Sequence, residues 1–272
     1  MKNKRVLYVS SEVTPYTPPT EMSKMSFEAA KKAHHKGVQT RIFMPRFGVI
    51  NERRHQLHEV IRLSGMNLII DDMDMPLIIK VASIPKERMQ VYFIDNEEYF
   101  KRKFMYEDEN ENYFADNDER AIFFAKGVVE TIKKLNWAPD IIHVHGWMAC
   151  LLPLYLKEFY KDDALFSNTK VVTSVFDNEF EGVLSENLAD KIRFDELPEE
   201  KISVLEEATF VNILKSAIDN SDGVIKADRF VNDDLEDYLD DLEDTPFLDY
   251  QAEDSFAEAY LDFYNEKVFN EE

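Results

Sequence analysis

A single cysteine, Cys150, stands among 272 residues. It excludes an internal disulfide and a cysteine-based metal site, and it fits a reducing cytoplasm. No apolar stretch approaches the roughly 20 residues that cross a bilayer. The start, Met1-Lys2-Asn3-Lys4-Arg5, is basic, but Glu12 interrupts the apolar run that follows and no small-residue cleavage site appears. That run reads as a buried strand, not a signal peptide. Glycine is scarce, seven in all, and none lies between Thr14 and Ser23. A phosphate cradle in such a loop normally uses glycine to bring main-chain amides to the anion. Positive charge is short as well: 32 Lys and Arg against 54 Asp and Glu, a net of −22. A field of that sign disfavours nucleic acid and anionic membrane as partners.

What is present is a large apolar fraction, 44%, enough for a sizeable core. The charge is unevenly placed. Residues 228–272 hold 17 acidic and two basic side chains, whereas residues 1–60 hold 11 basic and five acidic. An anionic ligand would therefore meet the first part of the chain and be repelled by the last.

Val6 to Ser10 reads as a strand buried on both faces. A loop with Pro15, Pro18 and Pro19 follows. Ser23 to Lys36 then reads as a helix, with Ser23 as its cap, Met25, Ala29, Ala30 and Ala33 inward, and Gly37 as its stop. Val38 to Pro45 returns as a second strand, which makes a βαβ unit. Shorter runs at about 59–95 predict a hairpin-rich insertion that rejoins the sheet at Val91 to Ile94. Helices are expected over Asp118–Leu135, Trp147–Tyr160 and Leu197–Ile218. Strands are expected over Asp140–His145, Lys170–Phe176 and Gly223–Ile225. The fold class is α/β: a single Rossmann-like, doubly wound, mostly parallel sheet over residues 1–227. Residues 228–272 form an acidic helical extension, and Phe256, Tyr260, Phe263 and Tyr264 at helical spacing predict that it packs on the domain.

Ligands of such sheets sit at the carboxyl ends of strands. That directs attention to the loop after Val9, the turn His145-Gly146-Trp147 and the turn after Val175. His145 is read either as a crevice residue or as a hydrogen-bonded structural histidine. Cys150 reads as core, because no electropositive helix start or paired histidine accompanies it. No metal site is expected: His143 and His145 have no third ligand at useful spacing, and the acidic run Glu107-Asp108-Glu109 reads as a solvated turn.

Several segments together resemble bacterial glycogen and starch synthases, over residues 4 to 230 or so. They are Arg5 to Tyr16, Phe43-Met44-Pro45-Arg46-Phe47-Gly48, Tyr92 to Asn96 with Tyr99-Phe100, Asp116 to Arg120 with Phe123-Phe124, and Pro139 to Trp147. The resemblance implies glucosyl transfer from ADP-glucose to an α-1,4-glucan with no cofactor and no metal, in a cleft between two Rossmann-like domains. Only the first, acceptor-side domain is matched, and residues 228–272 are too short and too acidic to serve as the second. Retained positions are His145, Trp147, Asn117 and Asn178, and with Tyr16 they form the expected sugar-contacting set. Tyr16, Trp147 and Phe180 are read either as stacking surfaces for sugar or as packing. Degenerate positions are Pro18 for a lysine, Thr20 and Glu21 for paired glycines, Ser23 for a further glycine, Lys24 for an aspartate, Gly146 for an aspartate and Asp177 for a histidine.

Three readings follow, of which the blandest is a divergent structural protein with no ligand. The first is a synthase-lineage glucosyltransferase with little or no activity as a lone chain, handling ADP-glucose only when another chain supplies a second domain. The second is a non-catalytic module that binds glucan (glycogen or maltooligosaccharide) or a protein partner, and self-association fits either.

Overall fold

The computed structural model describes residues 1–269. Ten strands form one mixed sheet: β1 Arg5–Ser10, β2 Gln39–Pro45, β3 His58–Glu59, β4 Met66–Ile70, β5 Met73–Ile84, β6 Met89–Asp95, β7 Ile141–His145, β8 Lys170–Val175, β9 Gly223–Lys226 and β10 Phe247–Leu248. Their order across the sheet is β10-β9-β8-β7-β1-β2-β6-β5-β3, with β4 added to β5. All neighbours from β10 to β6 run parallel, while β5 is antiparallel to β6 and pairs with β3 and β4 in the same sense. The stretch 59–95 thus contributes the antiparallel edge, and the rest is the doubly wound sheet expected of α/β alternation.

The central strands read as continuous apolar runs because both of their faces are covered. Every residue of β7, Ile-Ile-His-Val-His, is buried. His143 is accommodated there by partners on both ring nitrogens: Nε2 lies 2.7 Å from Ser174 Oγ and Nδ1 2.6 Å from Tyr264 Oη. The helix Asn117–Leu135 packs on one face through Ala121, Phe124, Ala125 and Val128.

Three local expectations are corrected. Thr20, not Ser23, caps the first helix, Glu21–His35; Ser23 answers it as the other half of a capping box, since its hydroxyl accepts from the Thr20 N–H at 2.9 Å. The segment Trp147–Tyr160 is a 3₁₀ turn, a short α-turn around Pro153 and a π-turn, where one helix was expected. Leu197–Ile218 is broken: Glu199–Ile202 ends in a 3₁₀ turn, and a new helix starts at Phe210 because Thr209 caps it.

Within the described residues the acidic C-terminal stretch is held to the domain by three kinds of contact. The helix Asp233–Asp240 buries Leu235 and Leu239 and keeps its carboxylates outside. Phe247 and Leu248 add a strand beside β9, which helical spacing had not announced. The helix Phe256–Phe263 lies on the first helix, where Glu258 receives Lys32 at 2.6 Å and Lys36 at 2.8 Å. It then crosses β9 so closely that a Cβ on Gly223 would come within 3.0 Å of Val268 and 3.2 Å of Phe263. Among the described residues no helix is long and apolar enough to cross a membrane.

Candidate functional site

Strand order reverses at β1, which has β2 on one side and β7 on the other. Ser10 pairs in register with His145, so the loops after them flank the switch point. A cavity of about 470 Å³ opens there, walled by the exits of β1, β8 and β9 and by the start of the first helix. Glu12, Glu21, Asp177 and Asp228 supply four carboxylates; Arg229 is the one cation lining it among the described residues. Met22, Phe176, Phe230 and Tyr250 supply the apolar part, with Phe230 74% exposed.

The carboxylates interact. Asp228 accepts the Asp177 N–H at 2.6 Å. Burial nevertheless raises the Asp228 pKa, and the negative charges of Glu21 and Asp177 add to the rise. Glu12 is raised by burial too, although Thr20 Oγ1 at 2.7 Å and Tyr106 Oη at 3.1 Å both donate to it. The cavity therefore holds negative charge under strain and offers little to balance an anion.

Below it lies His145, wholly buried, with Nδ1 2.7 Å from Ser26 Oγ and Ser26 in turn 2.9 Å from Ser10 Oγ. Burial drives its pKa down to about 3, so the ring is a neutral imidazole. Its Nε2 has no hydrogen-bond partner among the described residues. Gly146 follows at φ +82°, ψ 148°, a region only glycine enters readily. A Cβ there would stand 2.4 Å from Ser11 Oγ and 2.8 Å from Met22 Sδ. Met22 packs with Phe176 and Ala227 in a small apolar cluster apart from the main core. The space beside Gly146 is filled.

The other expected sugar contacts are distributed as follows. Trp147 is 2% exposed, and Tyr106, Phe180 and Tyr113 stand against it at ring distances of 5.2, 5.3 and 6.5 Å. Asn117 is buried, donating to the Tyr106 carbonyl at 2.9 Å and accepting from Arg120. Tyr16 packs on Phe93 and His55. Of the five, Asn178 alone lines the cavity, beside Asp177, Thr20 and Glu21. Pro18 is exposed on the preceding loop. Sequence reasoning passed over Glu12, Tyr106 and Asp228. Glu12 sits within a strand-exit motif, but Tyr106 reaches it from 94 positions away, and nothing local signals such a contact. Among the described residues no group of three or more His, Cys, Asp or Glu is placed to hold a metal ion.

The family model of the starch synthase catalytic domain matches residues 5–238. The chain belongs to that family. Among curated relatives, the glycogen synthase of Chlorobium limicola is 37% identical over 236 residues, 86% of this chain and 47% of that protein. The glycogen synthase of Chlorobaculum tepidum is 35% identical over 239 residues, 87% of this chain and 48% of that protein. The chain spans about half the length of the curated relatives it matches. In three dimensions it is similar to the catalytic domain of starch synthase IV from Arabidopsis thaliana, a structure bound to ADP and acarbose, with a TM-score of 0.69 at 17% identity. That likeness covers 98% of this chain and 50% of the other, and it supports the Rossmann-like fold. As a starch synthase-type half, the protein keeps the family's framework while its switch-point cavity has a carboxylate lining.

Proposed function

We propose that this glycogen synthase-like chain transfers no glucose by itself and acts as an α-glucan-binding module on the synthase scaffold. The observation that carries the reading is the cavity lining: four carboxylates and one arginine where a sugar nucleotide would bring a diphosphate. Like charges about 6 Å apart at an effective dielectric near 20 repel by ~3 kcal/mol. Expulsion of a diphosphate leaving group needs fixed positive donors, and one such donor is worth about 10²–10³ in rate. A neutral glucan has no such conflict. Carboxylates accept hydrogen bonds from sugar hydroxyls, Asn178 both accepts and donates them, and the exposed rings of Phe230 and Tyr250 offer faces for stacking. ADP-glucose enters this reading only with a second chain that supplies cations for its phosphates. The lone buried Cys150 is in keeping with a cytoplasmic setting.

Incubation with ADP-glucose and a maltooligosaccharide primer is expected to give no chain extension above a no-enzyme control; turnover at the level of a full-length glycogen synthase refutes the first half of the reading. Calorimetric titration with maltoheptaose is expected to show binding that Asn178→Ala weakens. Absence of heat at millimolar sugar refutes the second half.

A further inference from the structure

β4, Met66–Ile70, is an edge strand: among the described residues it pairs with β5 and with no other strand. In an antiparallel ladder alternate residues turn their main-chain groups away from the partner. Ile69 is one of these, because its carbonyl accepts from Lys126 Nζ at 2.7 Å, and Asn67, two positions before it, is another. Pro76, opposite Asn67, has no N–H to give, and its carbonyl accepts from Asn96 Nδ2 at 3.0 Å. Outside the ladder, and among the described residues, the main-chain N–H groups of Asn67 and Ile69 and the Asn67 carbonyl have no partner. Unpaired groups in a row along a strand are a template for a further strand.

The same edge borders a groove of about 450 Å³. Phe159 and Tyr160 line it from the end of the π-turn, and Phe194 to Glu196 from the turn after the helix Leu188–Arg193. Ile69, Phe159 and Phe194 are 52%, 41% and 51% exposed there. Three large apolar side chains left half in water around one groove mark a surface that something else covers. The lining holds one cation, Lys126, against Glu130, Asp195 and Glu196. Lys126 and Asp195 satisfy each other at 2.6 Å, and Glu130 faces Lys133 at 3.2 Å. Glu196 is exposed on the rim, so the net charge that an occupant meets is negative.

We infer that this groove receives an extended segment of a partner protein, added to β4 as a further strand. Lys126 already occupies the Ile69 carbonyl, so the segment pairs through the Asn67 N–H and C=O and through the Ile69 N–H. Side chains alternate along such a segment. One set, apolar, covers Ile69, Phe159 and Phe194. The positions between them are basic, because the lining is acidic. A second copy of this chain is disfavoured on the same ground: it carries −22 as a whole, and like charges repel across an interface. The groove shares no lining residue with the switch-point cavity, so the inference does not rest on the glucan reading.

Fluorescence anisotropy with a short labelled peptide that alternates lysine with valine, at about 0.15 M salt, tests it. Saturable binding to the wild-type chain is expected. A chain of this charge attracts any cationic peptide, so two changes that leave charge untouched decide the matter. Phe194→Ser, at a half-exposed position, is expected to weaken binding at least ~10-fold. N-methylation of the peptide amides removes main-chain donors, keeps every side chain and needs no protein variant; it is expected to weaken binding at least ~5-fold. A peptide alternating glutamate with valine is expected not to bind. No saturable binding, or binding that either change leaves unaltered, overturns the inference. So does a concentration-dependent dimer in sedimentation that Phe194→Ser abolishes, since that result gives the groove to a second copy.

Discussion

Replacing Gly146 with aspartate, the residue that the family resemblance implies at this turn, tests whether the cavity floor has been rebuilt or merely depleted. Two costs can be worked from the structure. The backbone at φ +82°, ψ 148° admits a non-glycine residue only at about 1–3 kcal/mol. The new Cβ would also meet Ser11 Oγ at 2.4 Å and Met22 Sδ at 2.8 Å, and overpacking of that order adds roughly 1–3 kcal/mol. The carboxylate beyond that Cβ would then enter a buried site with no cation beside it. The expected loss is therefore ~3–6 kcal/mol, read as a fall in the urea midpoint at an unchanged slope. Because Met22 is one of the two obstacles, Met22→Ala should recover part of the loss in the double variant although it is itself destabilising, a coupling of 1 kcal/mol or more in a double-mutant cycle. A Gly146→Asp protein within about 0.5 kcal/mol of the wild type would show that the turn still has room for the acid and would refute the reasoning.

Three further outcomes follow from the same contacts. Lys126 and Asp195, 5% and 7% exposed and 2.6 Å apart, form a buried pair, so Lys126→Met should cost about 3–5 kcal/mol in chemical denaturation by stranding the carboxylate. Tyr264→Phe removes the hydroxyl 2.6 Å from His143 Nδ1 and should cost ~1–2 kcal/mol, loosening the C-terminal helix in hydrogen exchange before the sheet. His143 and His145 are both held neutral by burial, with pKa values well below the usual histidine range. Their unfolded forms take up protons near pH 6.5, so their contribution is complete above that pH and is lost as pH falls below it, by about 1.4 kcal/mol per unit for each ring. Urea midpoints at pH 7.5, 6 and 5 check this, and a slope that His145→Gln leaves unchanged would count against it. Glu12 and Asp228 are raised by burial, so their protonation works in the opposite sense at lower pH.

The α/β sheet was legible because its central strands are apolar on both faces: Val6 to Ser10 and Ile141 to His145 admit few other conformations at such spacing. Helix continuity was less legible. Leu197–Ile218 keeps a helical rhythm through Glu206–Thr209, yet the chain breaks where Thr209 turns to cap a new helix. The edge strand Phe247–Leu248 is set by pairing with β9, which a two-residue apolar run does not announce. Candidate positions at the cavity could be named from their motifs, but not their environments. Whether Trp147 presents a face to solvent depends on Tyr106, Tyr113 and Phe180, which approach from distant segments.

The positions that the family resemblance marks as kept and as changed differ in their surroundings. His145 anchors Ser26 and, through it, Ser10, tying β7 to β1 and the first helix. Asn117 ties the Tyr106 loop to Arg120, and Trp147 fills the space between that loop and Phe180. Each of these side chains would be costly to lose for stability alone, by a broken buried hydrogen bond or a large cavity. Glu21 and Asp177 stand instead on the exposed lip of the cavity and Pro18 on the exposed loop before it, where substitution costs the fold little, while Thr20 at the same lip is held by its role as helix cap. Nothing in the architecture opposes the gathering of carboxylates on that lip, while the framework beneath is held by its contacts. A residue that the resemblance marks as kept thus speaks about packing first, and about ligand only where, as at Asn178, the side chain also lines the cavity.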